Sequence, residues 1–418
     1  MKRFSGLDTL MASNAITSNT SFEAYYKQVL SAVERQGENF EGFAWAPQQI
    51  DFTYEMLEAE AQIEVMASYV DLNSPALPAG NSAKLTKLTG SIPRHKYTVV
   101  RGENDYRKQL ILLNEIRSVA NFNNTNESVA VSEYLAKALF DVTSAIPAAH
   151  KNTLNYQIGQ MKSLGKLTLT NNNNPRGSLR TTFTAQVPTG NYMDKKWWES
   201  DTSASTVTAV GDPIGDLRDF IRDLRMKANG YQNVCVEMNE KTFYKLIKHD
   251  AVLTAIGYAL TGIGLRYTKA NDDNTKANDD NAKAVAKGST LEAQKEAFKR
   301  LIEADEVIYN KTVCGVEKIN TTNHNFDRTL VDAFEQGVIL IRPTGLIGVI
   351  KNVVPMRPDG SAISAFMYGG RGLIEYIYNA DTRTQEWRSE LTALAVPTRP
   401  RDLYYFKNLT QEKAAVGG

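Results

Sequence analysis

The feature that most constrains this chain is a run of helical apolar spacing from Ser128 to Leu164. Val131, Leu135, Leu139, Val142 and Ile146 form one stripe, and Leu154, Ile158 and Met161 continue it at the three- and four-residue steps of an amphipathic helix. Pro147 should kink or restart the helix, because proline removes a backbone donor and crowds the preceding turn. Gly165 ends it. A single long, bent rod is a scaffold element that packs beneath a sheet, so the rest of the chain must supply one.

Sheet-forming segments follow directly. Lys166–Thr170 and Arg180–Val187 read as a hairpin around the Asn171–Pro175 turn, and Trp197 and Trp198 open a new region with a Ser/Thr linker to Val210. Asp212 and Pro213 form a helix start, with Asp as N-cap and Pro at the first helical position. Ile214, Leu217, Ile221 and Leu224 keep helical spacing up to Gly230. Val234–Met238 reads as a strand, after which Asn239 caps a second helix bearing Phe243, Leu246 and Ile247. With Val307–Tyr309 and Val338–Ile341 as later strands, this is a compact α/β region. The tandem repeat TKANDDN, Thr268–Asn274 and Thr275–Asn281, is too polar to bury a core and reads as an expanded surface loop. From Gly345 the chain turns β-like and aromatic, with Phe366, Tyr368, Tyr376, Tyr378 and Trp387.

The N-terminal part is organised by charge. Residues 1–20 are small, polar and aperiodic, and Ser21–Gln36 reads as a helix. A second helix is expected from about Ile50 to Tyr69, with Phe52, Met56, Ile63 and Met66 at helical spacing and Asp51, Glu55, Glu58, Glu60 and Glu64 along it. After the turn-rich stretch Leu72–Gly80, Lys84–Thr89 and Lys96–Val100 alternate around Gly90–Pro93 and read as a long two-stranded excursion. The whole chain balances 48 Lys+Arg against 47 Asp+Glu, yet residues 1–80 carry a net −7 and residues 81–110 a net +5. The basic side chains of the second block are Lys84, Lys87, Arg94, Lys96, Arg101, Arg107 and Lys108. Such blocks can fold onto each other, stay solvated, touch nucleic acid, or meet their opposites on neighbouring copies, where complementary charge sets register and association rate.

The overall balance argues against a specialist for nucleic acid or anionic membrane. The apolar stretch Val338–Val354 is broken by Arg342, Pro343 and Lys351, so no membrane span is expected, and no secretory signal is visible after Met1. Two cysteines cannot build a disulfide framework. Cys235, between Val234 and Val236, reads as a buried strand thiol, and its pairing with a distant His as a nucleophile is the weaker reading. His95, His150, His249 and His324 stand in no metal-ligand spacing, and no phosphate loop, nucleophile elbow or complete dinucleotide fingerprint occurs. Catalytic, metal and cofactor residues are therefore all expected to be none, and weight moves to structural and binding roles.

The segment order resembles the major capsid protein of tailed bacteriophages, the HK97-type fold, with a lambda-type flavour. Three places carry the likeness: Tyr156–Leu169 (YQIGQMKSLGKLTL); Trp197–Trp198 followed by Asp212–Leu217 (DPIGDL); and Glu306–Asn310 (EVIYN) with Phe334–Pro343 (FEQGVILIRP) and Gly345. The resemblance implies an α+β, HK97-like fold. It assigns an N-terminal arm over 1–50, an acidic helix over 51–71 and an extended E-loop over 72–112. A peripheral domain with the spine helix covers 113–209, and an axial α/β domain with a 268–290 surface insertion covers 210–344. Residues 345–418 return to the peripheral domain and end in a tail.

It also implies a role: a virion protein that self-assembles into the icosahedral shell enclosing a double-stranded DNA genome, made in the host bacterial cytoplasm. Its partners are then copies of itself in hexamers and pentamers, portal and scaffold proteins, and packaged DNA by weak non-specific contact, with no membrane. The seven basic residues of 81–110 are the candidate contacts between copies. Two rivals stand beside this reading: an encapsulin-like compartment shell of the same fold, and an α/β enzyme with an unrecognised site.

Overall fold

A computed structural model describes residues 40–59, 85–102, 127–175, 177–201, 206–226, 233–261, 273–319, 326–356, 363–379 and 384–412, with single positions at 104, 107 and 111. The arm over 1–39, most of the acidic block's far end, Gly230 and the first repeat copy up to Asp272 lie outside them. Among the described residues, no helix is long and apolar enough to cross a membrane. The chain divides into two compact units. One takes Met1–Tyr54, Ser91–Leu154 and Ile350–Ala395; the other takes Glu55–Gly90, Asn155–Val349 and Val396–Gly418.

The expected rod is present as one continuous helix, Glu127–Leu164, 38 residues with Pro147 inside, or about 57 Å at 1.5 Å per residue. Gly165 stops it in a left-handed conformation, φ 64°, with its N–H bonded to the Met161 carbonyl at 3.2 Å. A Cβ there would come within 2.5 Å of the Tyr192 hydroxyl, so the position needs glycine both for its torsion and for space.

In the first unit the helix segment through Leu154 lies with a six-stranded sheet. Its order is Phe43–Trp45, Gly348–Asn352, Thr384–Pro397, Gly372–Asn379 and Ile363–Met367, and Arg94–Arg101 also pairs with Thr384–Pro397. Strand Arg94–Arg101 alternates. Arg94, Lys96, Thr98 and Val100 are exposed, whereas His95, Tyr97 and Val99 are partly covered, the pattern of a sheet with one dry face. Ile146 and Leu154 are buried, and the Tyr368 hydroxyl donates to the Pro147 carbonyl. The glycines at 369 and 370, φ 64° and 91°, make the tight turn between Ile363–Met367 and Gly372–Asn379.

The second unit is built on a five-stranded sheet: Glu306–Asn310, Val234–Asn239, Ile339–Pro343, Tyr404–Lys407 and Tyr192–Asp194, in that order. Val234–Asn239 is buried along its whole length. Val234, Val236 and Met238 pack into the core under helices Pro213–Met226, Glu240–Ile247 and Asp250–Thr261. The alternate residues point to the opposite face, which carries Leu340 and Tyr405 packed with Phe334, Leu403 and Leu164. The predicted caps form: the Asp212 carboxylate accepts from the Gly215 N–H at 3.0 Å, and the Asn239 side chain accepts from the Lys241 N–H at 2.8 Å.

Four sequence expectations need correction. The acidic helix over 51–71 does not form where it is described; Thr53–Ala59 is a strand. Thr53 and Tyr54 favour extended backbone, Tyr54 is buried between exposed neighbours, and the segment pairs with Leu85–Ser91. Consequently the two-stranded excursion is not a hairpin of the two halves of 84–100. Leu85–Ser91 pairs with Thr53–Ala59, while Arg94–Arg101 joins the large sheet along Thr384–Pro397. The Ser/Thr linker after Trp198 contains a strand pair, Trp198–Asp201 with Thr206–Ala209.

The fourth concerns the repeat. Its second copy is not a loop but part of helix Asp273–Gly288, and seven residues are close to two helical turns, so the period and the helix agree. Ala282 and Ala286 are buried, the Tyr258 hydroxyl donates to Asp279 at 2.7 Å, and Lys283 meets Asp250 at 2.8 Å. Gly257 permits the close approach: a Cβ there would stand 1.9 Å from the Ala282 carbonyl oxygen. Near the end of the described residues Tyr404–Lys407 enters the five-stranded sheet, where Tyr405 and Phe406 bury both of its faces.

Candidate functional site

Among the described residues, the basic block is spread over two strands and a helical position. Lys87 sits on strand Leu85–Ser91 and pairs with Glu55 across the ribbon at 2.7 Å, so at this point the acidic and basic blocks fold onto each other. Arg94 and Lys96 stand on the exposed face of the outer strand and share Glu390, at 3.0 and 3.7 Å, directly across the register pairing Glu390 with Lys96. The Arg94 guanidinium also lies 5.5 Å from the centre of the Phe52 ring. Arg101 ends the same strand, and Arg107 is exposed at a helical position. Lys84 and Lys108 lie outside the described residues. Among the described residues, Lys87, Arg94 and Lys96 have acid partners within the chain, and each such exposed pair is worth about 0–1 kcal/mol.

A surface feature that charge counting missed lies beside Arg94. Gln49 and Val353 form a parallel bridge, reinforced by the Val354 N–H donating to the Gln49 carbonyl at 2.8 Å. The segments after that bridge expose Ile50 and Phe52 on one side and Val354 and Met356 on the other, with Ile50 at 78% and Met356 at 81%. Exposed apolar neighbours of this size mark contact surfaces more often than isolated ones do. Two short extended segments carry no periodic signal, and only their pairing brings the four residues together. In the second unit the hairpin Val313–Ile319 with Phe326–Asp332 exposes Val313 and Leu330.

The most constrained charges are buried and belong to the second unit. On the sheet face that holds Leu340, Glu237 accepts from Lys162 Nζ at 2.8 Å and from Arg342 Nε at 3.0 Å, all three side chains nearly closed to solvent. Burial by itself raises the Glu237 carboxyl; the adjoining Lys162 and Arg342 charges and their hydrogen bonds outweigh it and hold the carboxyl below its ordinary value. Sequence inspection misses this group because Lys162, Glu237 and Arg342 are distant in the chain. The signal available was Glu237 alternating with Cys235 inside an otherwise apolar strand.

Cys235 and Cys314 are both buried and joined in no disulfide, and burial pushes their thiols up, that of Cys314 to about 11. Among the described residues, no three His, Cys, Asp or Glu side chains are grouped to hold a metal.

No family model matches the chain, and no curated protein matches it. Solved structures do. A phage-related protein from Bordetella bronchiseptica RB50 aligns with 91% of this chain and 96% of its own, at 11% identity and a TM-score of 0.39. The capsid of Myoviridae phage XM1 aligns with 90% of this chain and 94% of its own, at 11% identity and a TM-score of 0.39. The capsid of cyanophage P-SCSP1u aligns with 90% and 92%, at 11% identity and a TM-score of 0.38.

Proposed function

We propose that this chain is a major capsid subunit that assembles with copies of itself into the shell of a tailed bacteriophage. The observation that carries the reading is the order of elements along the chain. A two-stranded ribbon, Thr53–Ala59 with Leu85–Ser91, precedes the long helix Glu127–Leu164, a short hairpin and an α/β sheet unit. From the long helix onward this is the order that the resemblance implies. Before it, a strand pair stands in place of the expected acidic helix and hairpin. On this reading the ribbon is the E-loop, the long helix is the spine, the six-stranded sheet is peripheral and the five-stranded sheet is axial. A ribbon with no core of its own adds contact area to a neighbour without enlarging the subunit, which suits a protein repeated many times in a closed shell. The partners are other copies in hexamers and pentamers, with portal, scaffold and loosely held DNA, and the site of action is the virion. The role is structural rather than catalytic.

The test is assembly. The full chain, co-expressed with a scaffold protein where required, is expected to give shells, hexamers or pentamers by electron microscopy and sedimentation. A folded chain that stays monomeric under both conditions overturns the reading. Charge reversal at Arg94, Lys96, Arg107 and Lys108 is expected to abolish assembly while leaving the subunit folded.

A further inference from the structure

The end of the long helix is buried all round. Residues 157–163 are buried without a gap, although Gln157, Gln160, Lys162 and Ser163 among them are polar. Gly159 lets the helix lie close: a Cβ there would stand 2.3 Å from the Ala333 carbonyl oxygen. Gln160 donates to that same carbonyl at 3.0 Å, and the Ser163 hydroxyl donates to the Gly159 carbonyl at 2.7 Å. The Tyr192 hydroxyl donates to the Leu164 carbonyl at 2.9 Å. Lys162 differs, because its partner is a side chain, the Glu237 carboxylate at 2.8 Å.

That difference bears on register. A carbonyl recurs at every residue, so a bond to one can re-form after the helix slips by a turn. Apolar contacts are as forgiving. Leu154, Ile158 and Met161 follow one another at steps of four and three, the spacing that a one-turn slip reproduces. Lys162 has no such substitute, since Ile158 and Gly159 stand one turn before it and Gly165 ends the helix. Its target is as specific. Glu237 accepts Lys162 Nζ on Oε1 and Arg342 Nε on Oε2. Arg342 comes from the neighbouring strand, where it lies opposite Cys235. The carboxylate and the guanidinium thus belong to the sheet, and Lys162 to the helix.

We propose that Lys162 is a positioning residue whose bond to Glu237 selects one seating of the helix end on the five-stranded sheet. Stability alone does not require the charged group, because buried ion pairs are often replaced by apolar side chains without loss. Uniqueness does require it. A buried charge that meets its partner in one register is left uncompensated in every other. Lys162, Glu237 and Arg342 all belong to the second unit, so the proposal is separate from shell formation.

The test compares two variants of the full chain, as the unassembled subunit, that each keep one neutral ion pair. Lys162→Met leaves Glu237 with Arg342 inside the sheet and unties the helix. Arg342→Met leaves Glu237 with Lys162 and keeps the tie. Methyl NMR of Ile158, Met161 and Leu164 reads the seating. Wild type and Arg342→Met are expected to give one set of signals. Lys162→Met is expected to add at least one further set, at about a tenth of the total or more. A single set in Lys162→Met overturns the proposal and leaves the close approach at Gly159 to fix the register by shape. Several sets in both variants also overturn it, because the loss is then one of packing. Should Lys162→Met fail to fold, the triple variant Lys162→Met/Glu237→Leu/Arg342→Met decides: several sets support the proposal, and one set overturns it.

Discussion

Two groups of ion pairs in this protein each set two cations around one carboxylate, and they have opposite significance. Arg94 and Lys96 meet Glu390 at 3.0 and 3.7 Å on a wet strand face; Lys162 and Arg342 meet Glu237 at 2.8 and 3.0 Å inside the second unit. Water screens the first group and releases its partners cheaply. The second has no solvent to fall back on, so the loss of one member leaves the others charged and dry. Distance alone is therefore a poor guide to what a salt bridge does here; burial decides.

The largest effect should come from breaking the dry group at its centre. Glu237→Leu leaves two buried cations without an anion and is expected to cost about 3–5 kcal/mol in chemical denaturation. The triple variant Lys162→Met/Glu237→Leu/Arg342→Met removes every charge at once and should recover most of that loss. A triple variant as unstable as the single one would show that the damage is to packing and not to charge.

A smaller effect follows from acid. The Glu237 carboxyl is held below its ordinary value in the folded chain, so its contribution is fully present above the unfolded value near 4.3 and is lost as pH falls through the lower, folded one. Wild type should lose stability faster than the triple variant below about pH 4. Parallel curves would mean that the carboxyl is not held down.

The smallest effect belongs to the exposed group. Glu390→Gln should change unfolding stability by less than about 1 kcal/mol, and the change should vanish at 1 M salt, where the screening length is about 3 Å. The cost of Glu237→Leu should survive the same salt. A large, salt-resistant effect at Glu390 would remove the distinction drawn here.

Much of the second unit was legible because its signals are local. The caps at Asp212 and Asn239, the glycine stop at Gly165 and the strand around Cys235 each depend on residues within a few positions. The ribbon was misread because 51–71 carries helical spacing and many good helix formers, while strand pairing with 85–91 depends on a partner some thirty residues away. The repeat was misread for a related reason. Asn and Asp favour loops in isolation, but Ala282 and Ala286 gave the helix a face that only Gly257 could meet. Of the candidate contact residues, Arg94 and Lys96 are answered by Glu390, which the sequence had no means of locating.

By itself the sequence determined the long helix, its end, the α/β character of residues 210–344 and the scarcity of reactive side chains. These follow from spacing, capping chemistry and composition, which act over a few residues. The tertiary structure decided which strand pairs with which, and that three distant charges share one dry site. Those outcomes depend on burial and on long-range pairing, and neither quantity exists until the chain has folded.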